Sequence, residues 1–253
     1  MDTLTIKDVP SPNRDMRPGH MPVDVLVFHY TGMTSVSEAL SRLCDPEVKV
    51  SAHYLVDEQG TIYRLVAEDK QAWHAGISCW NGKSALNENS IGIEIANPGH
   101  EYGYRAFPAV QMEAVLRLSQ DILTRHAIAP KDMVGHSDIA PNRKTDPGEL
   151  FDWQYLAKNG VGVWPKVGKI KRPHEVISSP GDETKDVALF QKLLNQYGYH
   201  IRVDGFYGQK TEAVIRAFKR HFVQERVDAF WDRLAQETLE ALLLACKGSV
   251  DTR

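Results

Sequence analysis

The chain has 253 residues, 42% of them hydrophobic and 25% charged. Those fractions fit a folded globular protein and exclude a disordered or fibrous one. A formal net charge of −3 supplies no bulk positive field, so a DNA- or RNA-binding role is set aside. No apolar run is long enough for a bilayer span. The opening MDTLTIKDVPSPNRDMRP lacks the basic-then-apolar order of a secretory leader. Cytoplasmic residence is therefore expected, with a periplasmic or wall-associated location as the alternative if a leader was removed. Cys44, Cys79 and Cys246 are odd in number and scattered, which argues against a disulfide framework.

In chain order, VDVLVFHYT (residues 23–31) is a β-branched and aromatic run of the kind buried on both faces of a sheet. Ser35 and Ser37 offer N-caps for a helix over residues 36–44. SAHYLVDEQGTIYRLV reads as a hairpin turning at Glu58-Gln59-Gly60. NSIGIEIAN (residues 89–97) is a further strand, and Gly92 inside it predicts close approach of another group to the backbone. After Pro108 a helix carries Val110, Ala114, Leu118 and Ile122 on one face, with Val115 beside them. MVGHSDI is a last short strand running into a loop. The fold class expected is α/β, a central mixed β-sheet flanked by helices. Residues 161–184, with Pro165, Pro173 and Pro180 among glycines and lysines, read as a linker. Residues 185–248 read as a small three-helix domain: Val187, Phe190 and Leu194 face inward, then Val214, Ile215, Phe218 and Phe222, then a helix over 234–245. Gly198 sits where a C′ glycine belongs.

Of ten histidines, His20, His100, His126, His174, His200 and His221 stand in polar text and read as surface residues. His29 ends an apolar strand and His136 follows one. Two imidazoles and a carboxylate meeting at the carboxyl edge of a sheet make a three-ligand zinc site with a fourth position free, the catalytic pattern. Zinc would acidify a water and polarise a carbonyl. Spacing leaves Asp138 and Asp146 open as the third ligand. Glu94, an acid inside an apolar strand, must be paired or face a cavity, and there it can act as general base. Lys144 is a cation suited to stabilising an oxyanion. Together these parts meet the needs of metal-assisted amide hydrolysis. A cysteine hydrolase built on Cys79 and His74 lacks an orienting third group.

LVFHYT, SAHYLVDEQG, AWHAG, NSIGIEIAN and VGHSDIAPNRKTDPG occur in that order, and together they resemble the zinc-dependent N-acetylmuramoyl-L-alanine amidases of the AmpD type, in the peptidoglycan-recognition-protein superfamily. The resemblance covers roughly residues 23–153. It implies one zinc ion held by His29, His136 and Asp146, with Glu94 and Lys144 catalytic. It also implies a cleft bordered by His53, Trp73, His74 and Asn97 as substrate-binding residues. The reaction implied is cleavage between the lactyl group of N-acetylmuramic (or 1,6-anhydro-N-acetylmuramic) acid and L-alanine of the stem peptide. Some members carry a tyrosine where this chain has Ala52, so proton transfer falls to Glu94. LFQKLLNQYGY, VDGFYGQKTEAVIRAFKRHF and TLEALL resemble the three-helix peptidoglycan-binding domain of cell-wall hydrolases, although VDAFWDRLAQETL departs from the usual second turn. The organisation expected is thus a zinc amidase domain (1–160), a linker (161–184) and a peptidoglycan-binding-like domain (185–248). Peptidoglycan or anhydro-muropeptide is the expected partner. The rival is a non-catalytic muropeptide- or peptidoglycan-binding protein, but such members usually lose a metal ligand, and none is lost here.

Overall fold

The computed structural model describes residues 4–19 and 21–248; His20 lies outside them. Two short strands, β1 (Ile6–Asp8) and β2 (Arg14–Met16), precede β3 (Val25–Tyr30) and helix α1 (Val36–Cys44). The hairpin follows as β4 (Tyr54–Val56) and β5 (Ile62–Arg64), then β6 (Lys70–Ala72), β7 (Cys79–Trp80), β8 (Lys83–Ser84) and β9 (Ser90–Ile95). Next come α2 (Gly99–Tyr102), α3 (Ala109–Arg125), β10 (Met133–Gly135), α4 (His136–Ile139) and α5 (Trp153–Lys158). The last part holds β11 (Val176–Ser178), α6 (Lys185–Tyr197), α7 (Gln209–Phe222), β12 (Trp231–Asp232) and α8 (Arg233–Gly248).

The central sheet runs β1-β5-β4-β9-β3-β10. Only the β4–β5 hairpin is antiparallel; the other neighbours are parallel, so the sheet is mixed as expected. The hairpin turn is held by Asp57, whose Oδ1 accepts from the amides of Gln59 and Thr61, and by Gly60 at φ +82°, a left-handed conformation that disfavours side chains. Ser35 caps α1 by accepting from the Glu38 amide, which satisfies one of the first-turn donors.

Alternation along β3 and β9 sorts their side chains between two layers. Leu26, Phe28, Ile91, Ile93 and Ile95 pack with Val115, Leu118 and Ile122 of α3. Val110, expected in that stripe, is exposed; Ala114 is buried as expected, and Met112 turns inward beside it. On the opposite face Val25, Val27 and Val134 join Trp80, Ile139, Phe190, Leu194, Tyr199 and Phe218 in one cluster. The last three helices therefore share a hydrophobic core with the first half of the chain. The segment 161–184, which reads as a linker, contributes β11, antiparallel to β12. Gly198 ends α6, and a Cβ there would lie 2.8 Å from the Trp80 ring, so the C-terminal glycine is also where the two halves meet closely. Among the described residues no helix is long and apolar enough to cross a membrane, and the three cysteines are free.

Candidate active site

Three elements end at the carboxyl edge of the sheet and bring the polar residues together. His29 lies near the end of β3, in register with Glu94 on β9, so both side chains leave the same face. β10 runs parallel to β3 and delivers His136 as the first residue of α4. The sequence predicts a loop there; a single helical turn forms instead. The chain then doubles back, with the Ser137 amide donating to the Asp146 carbonyl. Gly135 permits this return, since a Cβ there would sit 2.7 Å from Pro147 Cδ.

His29 Nδ1 and His136 Nδ1 lie 2.9 Å apart, and Asp146 Oδ2 lies 3.1 and 3.0 Å from them. All three residues are buried, and their donor atoms form a group able to hold a metal ion. A tetrahedral ion about 2.0–2.1 Å from each donor needs neighbouring donors about 3.3 Å apart, so the triangle's edges of 2.9–3.1 Å would open by a few tenths of an ångström around it. Two neutral imidazole nitrogens and a carboxylate are also a suitable donor set for zinc. Burial, then the neighbouring His136, pushes His29 down to about 4, so the ring is neutral and its lone pair available. Burial alone would raise Asp146, but the His136 and His29 rings beside it hold it well below the usual carboxylate range.

Asp138, equally placed by spacing, is directed away. Its Oδ1 accepts from Tyr199 Oη at 2.6 Å, and its Oδ2 accepts from the Gly135 amide at 2.8 Å and from His221 Nδ1 at 2.7 Å. His221 reads as a surface residue in the sequence. It is instead buried, stacked between Trp153 and Phe222 at centroid distances of 3.7 and 3.8 Å. A polar ring amid KRHF gives no hint of that sandwich, which depends on packing across 68 residues of chain. Of the other histidines in polar text, His126 is half-buried, 2.6 Å from Glu68, and His100 is held by Tyr30 and Glu149.

A cavity of about 350 Å³ opens beside the triangle, lined among others by Glu94, His74, His136, Arg143, Lys144 and Asp146. Such a volume suits a small polar ligand or the end of a larger one. Glu94 Oε2 is buried with no hydrogen-bond partner. Burial, then the Asp146 charge, raises its pKa well above the ordinary value, against the opposing Lys144 cation. Such a carboxyl takes up a proton more readily than an ordinary one.

The four residues expected to bind substrate divide. His74 lines the cavity, whereas the other three are engaged elsewhere. His53 is fully buried, its Nδ1 accepting from the Gly92 amide and its Nε2 lying 3.2 Å from the Lys70 carbonyl. Trp73 donates through Nε1 to Asp15. Asn97 staples a loop, donating to the Arg105 carbonyl and accepting from the Gly99 amide. His53 and Asn97 are buried by their backbone partners, so neither faces the cavity. His74 is not available to activate Cys79: burial raises the thiol, and both His74 nitrogens are taken by His29 and Ser90. Tyr30 and Arg143 were not anticipated in the cavity wall, although each is a direct neighbour in sequence of a site residue.

Burial and the Arg17 cation push His53 down to about 3. The unfolded chain takes up that proton near pH 6.5, so acid favours unfolding from there down to about pH 3. In chelator-treated protein, His53 is expected to contribute up to ~1.4 kcal/mol of lost stability per pH unit in that window. Urea denaturation at pH 4.5–7 should show a shallower slope for His53→Asn; equal slopes would mean the ring is not held neutral.

A family model described as N-acetylmuramoyl-L-alanine amidase matches residues 19–149, the part of the chain that carries the triangle and Glu94. The chain belongs to the N-acetylmuramoyl-L-alanine amidase family. A second model, a putative peptidoglycan binding domain, matches residues 183–242. The amidase is 36% identical to N-acetylmuramoyl-L-alanine amidase AmiD of Escherichia coli, over 91% of this chain and 86% of that protein. The structure of AmiD in complex with anhydro-N-acetylmuramic acid-L-Ala-D-gamma-Glu-L-Lys superposes with a TM-score of 0.78, covering 90% of this chain and 93% of that one. Pseudomonas aeruginosa AMPDH3 in complex with anhydromuramic pentapeptide is 30% identical, with a TM-score of 0.75 and coverage of 92% and 96%. The 1,6-anhydro-N-acetylmuramyl-L-alanine amidase AmpD of Citrobacter freundii is 33% identical over 57% of this chain and 84% of its own length.

Proposed function

We propose that this amidase hydrolyses the bond between the lactyl carbonyl of N-acetylmuramic or 1,6-anhydro-N-acetylmuramic acid and the nitrogen of L-alanine, using one zinc ion. The observation that carries this reading is the meeting of the His29–His136–Asp146 triangle with the unpartnered Glu94 oxygen in one cavity. Ligands of that chemistry in AmiD and AMPDH3 support it.

His29, His136 and Asp146 would hold the ion, which when bound supplies a Lewis acid for the carbonyl and for the attacking water. Glu94 takes a proton from that water as its oxygen adds to the carbonyl carbon. The same proton passes to the alanine nitrogen as the C–N bond breaks. The products are a muramyl carboxylic acid and a free α-amine, which exchange a proton in water to become carboxylate and ammonium. A carboxyl with a raised pKa suits the first half of that transfer, because it takes up a proton more readily than an ordinary carboxylate. Lys144, on the cavity wall, sets a positive charge against the negative oxygen that develops. Residues 1–160 carry this chemistry, and 185–248 would hold glycan.

Paired digests test the reading: zinc-loaded protein on intact sacculi and on purified anhydro-muropeptides, with products read by mass spectrometry. Release of L-Ala-peptides from either is the expected result. Cleavage of soluble fragments alone would support a cytoplasmic recycling enzyme, and cleavage of sacculi would support action on the wall. Cleavage of neither by protein with zinc bound would overturn the enzymatic reading in favour of muropeptide binding.

A further inference from the structure

The AWHAG segment faces the two histidine ligands from behind, and its hydrogen bonds have only one consistent direction. Backbone carbonyls accept and never donate, so they fix the protons. Ser90 Oγ donates to the Leu86 carbonyl, which uses its only proton. His74 Nε2, 3.1 Å from that oxygen, must therefore be the protonated nitrogen, and His74 Nδ1 is left bare. His29 Nε2 lies 3.0 Å from this bare Nδ1, so it carries the ring proton and leaves His29 Nδ1 as a lone pair on the triangle. The second ligand follows the same logic: Arg143 Nη2, 3.4 Å from His136 Nε2, spends its protons on the Ala75 and Ile77 carbonyls, so His136 Nε2, 3.2 Å from the Ala75 carbonyl, donates to that oxygen and leaves His136 Nδ1 bare.

We infer that His74 and the Ala75 carbonyl are positioning groups that set the tautomer and ring angle of both histidine ligands, and that His74, which lines the cavity with both ring nitrogens engaged by His29 and Ser90, is not a substrate contact. The segment is itself braced. Asn87 Oδ1 accepts from the amides of His74 and Ala75 at 3.1 and 2.7 Å. The Arg143 guanidinium donates to the carbonyls of Ala75 and Ile77. Gly92 makes room for the imidazole: a Cβ there would lie 2.5 Å from its ring. Partners of this kind, which orient a metal ligand through its distal nitrogen, characteristically change metal affinity 10–100-fold when removed.

The inference rests on the proposed zinc site, so the experiment separates the two. Zinc dissociation constants are measured by chelator competition for the full-length wild type, His29→Ala, His74→Leu and His74→Asn, with KM for an anhydro-muropeptide at saturating zinc. Asn carries its amide oxygen where His carries Nδ1, and so restores the acceptor; Leu fills the space without one. His74→Leu should bind zinc roughly 10–100-fold more weakly, His74→Asn should recover most of that loss, and KM should stay within about twofold of wild type for both. Zinc binding by His74→Leu as tight as wild type, equal losses in both variants, or a raised KM with zinc affinity intact would overturn it. Equal zinc binding by wild type and His29→Ala would overturn the metal site itself. Should His74→Leu not fold, Ser90→Ala removes only the distal hydroxyl, and a several-fold weaker zinc affinity is then the supporting result, an unchanged one the refutation.

Discussion

Glu94→Gln is expected to cut turnover of a muramyl-L-alanine substrate by roughly 10²–10⁴-fold while leaving zinc content unchanged. The amide keeps the shape of the carboxyl but takes up no proton, so water attack and amine departure both lose their carrier. Zinc content should hold because Glu94 lies outside the donor triangle. The loss should fall on kcat, because a proton carrier acts on the attacking water and the leaving nitrogen in the transition state. Steady-state kinetics beside metal analysis checks this directly. Turnover within a few-fold of wild type would remove Glu94 from the mechanism.

The second large effect lies outside the cavity residues. Lys219 on α7 is fully buried, its Nζ 2.7 Å from both Asp228 Oδ1 and Asp232 Oδ2, and the Asp232 side chain is equally inaccessible. Truncating one partner of such a cluster leaves uncompensated charge away from water. Lys219→Met should therefore destabilise the protein by about 3–5 kcal/mol in chemical denaturation. Asp232 also accepts from the Ala235 amide at the start of α8, a task Asn performs as well. Adding Asp232→Asn to Lys219→Met should thus recover part of the loss by removing the orphan charge. A double variant no more stable than the single one would mean that the deficit comes from packing.

The elements around the site were readable where a local period carried the signal. Val25–Tyr30 and Ser90–Ile95 are dense apolar runs, α1 has its Ser35 cap, and Gly92 announced the close approach that the His74 ring makes. Edge strands such as Arg14–Met16 are exposed throughout and leave no alternation to read. The third ligand was not decidable from spacing, because Asp138 and Asp146 are both acids a short step beyond His136. What separates them is Tyr199 and His221, which engage Asp138 from 61 and 83 residues away. The register pairing His29 with Glu94 is likewise a tertiary fact. His53 and Asn97 bond backbone groups instead of lining the described cavity for a related reason: a motif shows that a polar side chain is needed, not whether it faces a ligand or a backbone amide.

The bonds from Tyr199 and His221 to Asp138 join the tail to the same short helix that presents His136. Two modules on a flexible tether search a volume set by tether length, and the second binding event is governed by effective concentration. Here the tail is fastened beside the cutting centre, so no search volume exists. Any polymer gripped by the tail would be offered to the His29–His136–Asp146 triangle at one fixed offset. The enzyme would then act as a caliper, measuring out its cut from the point of grip.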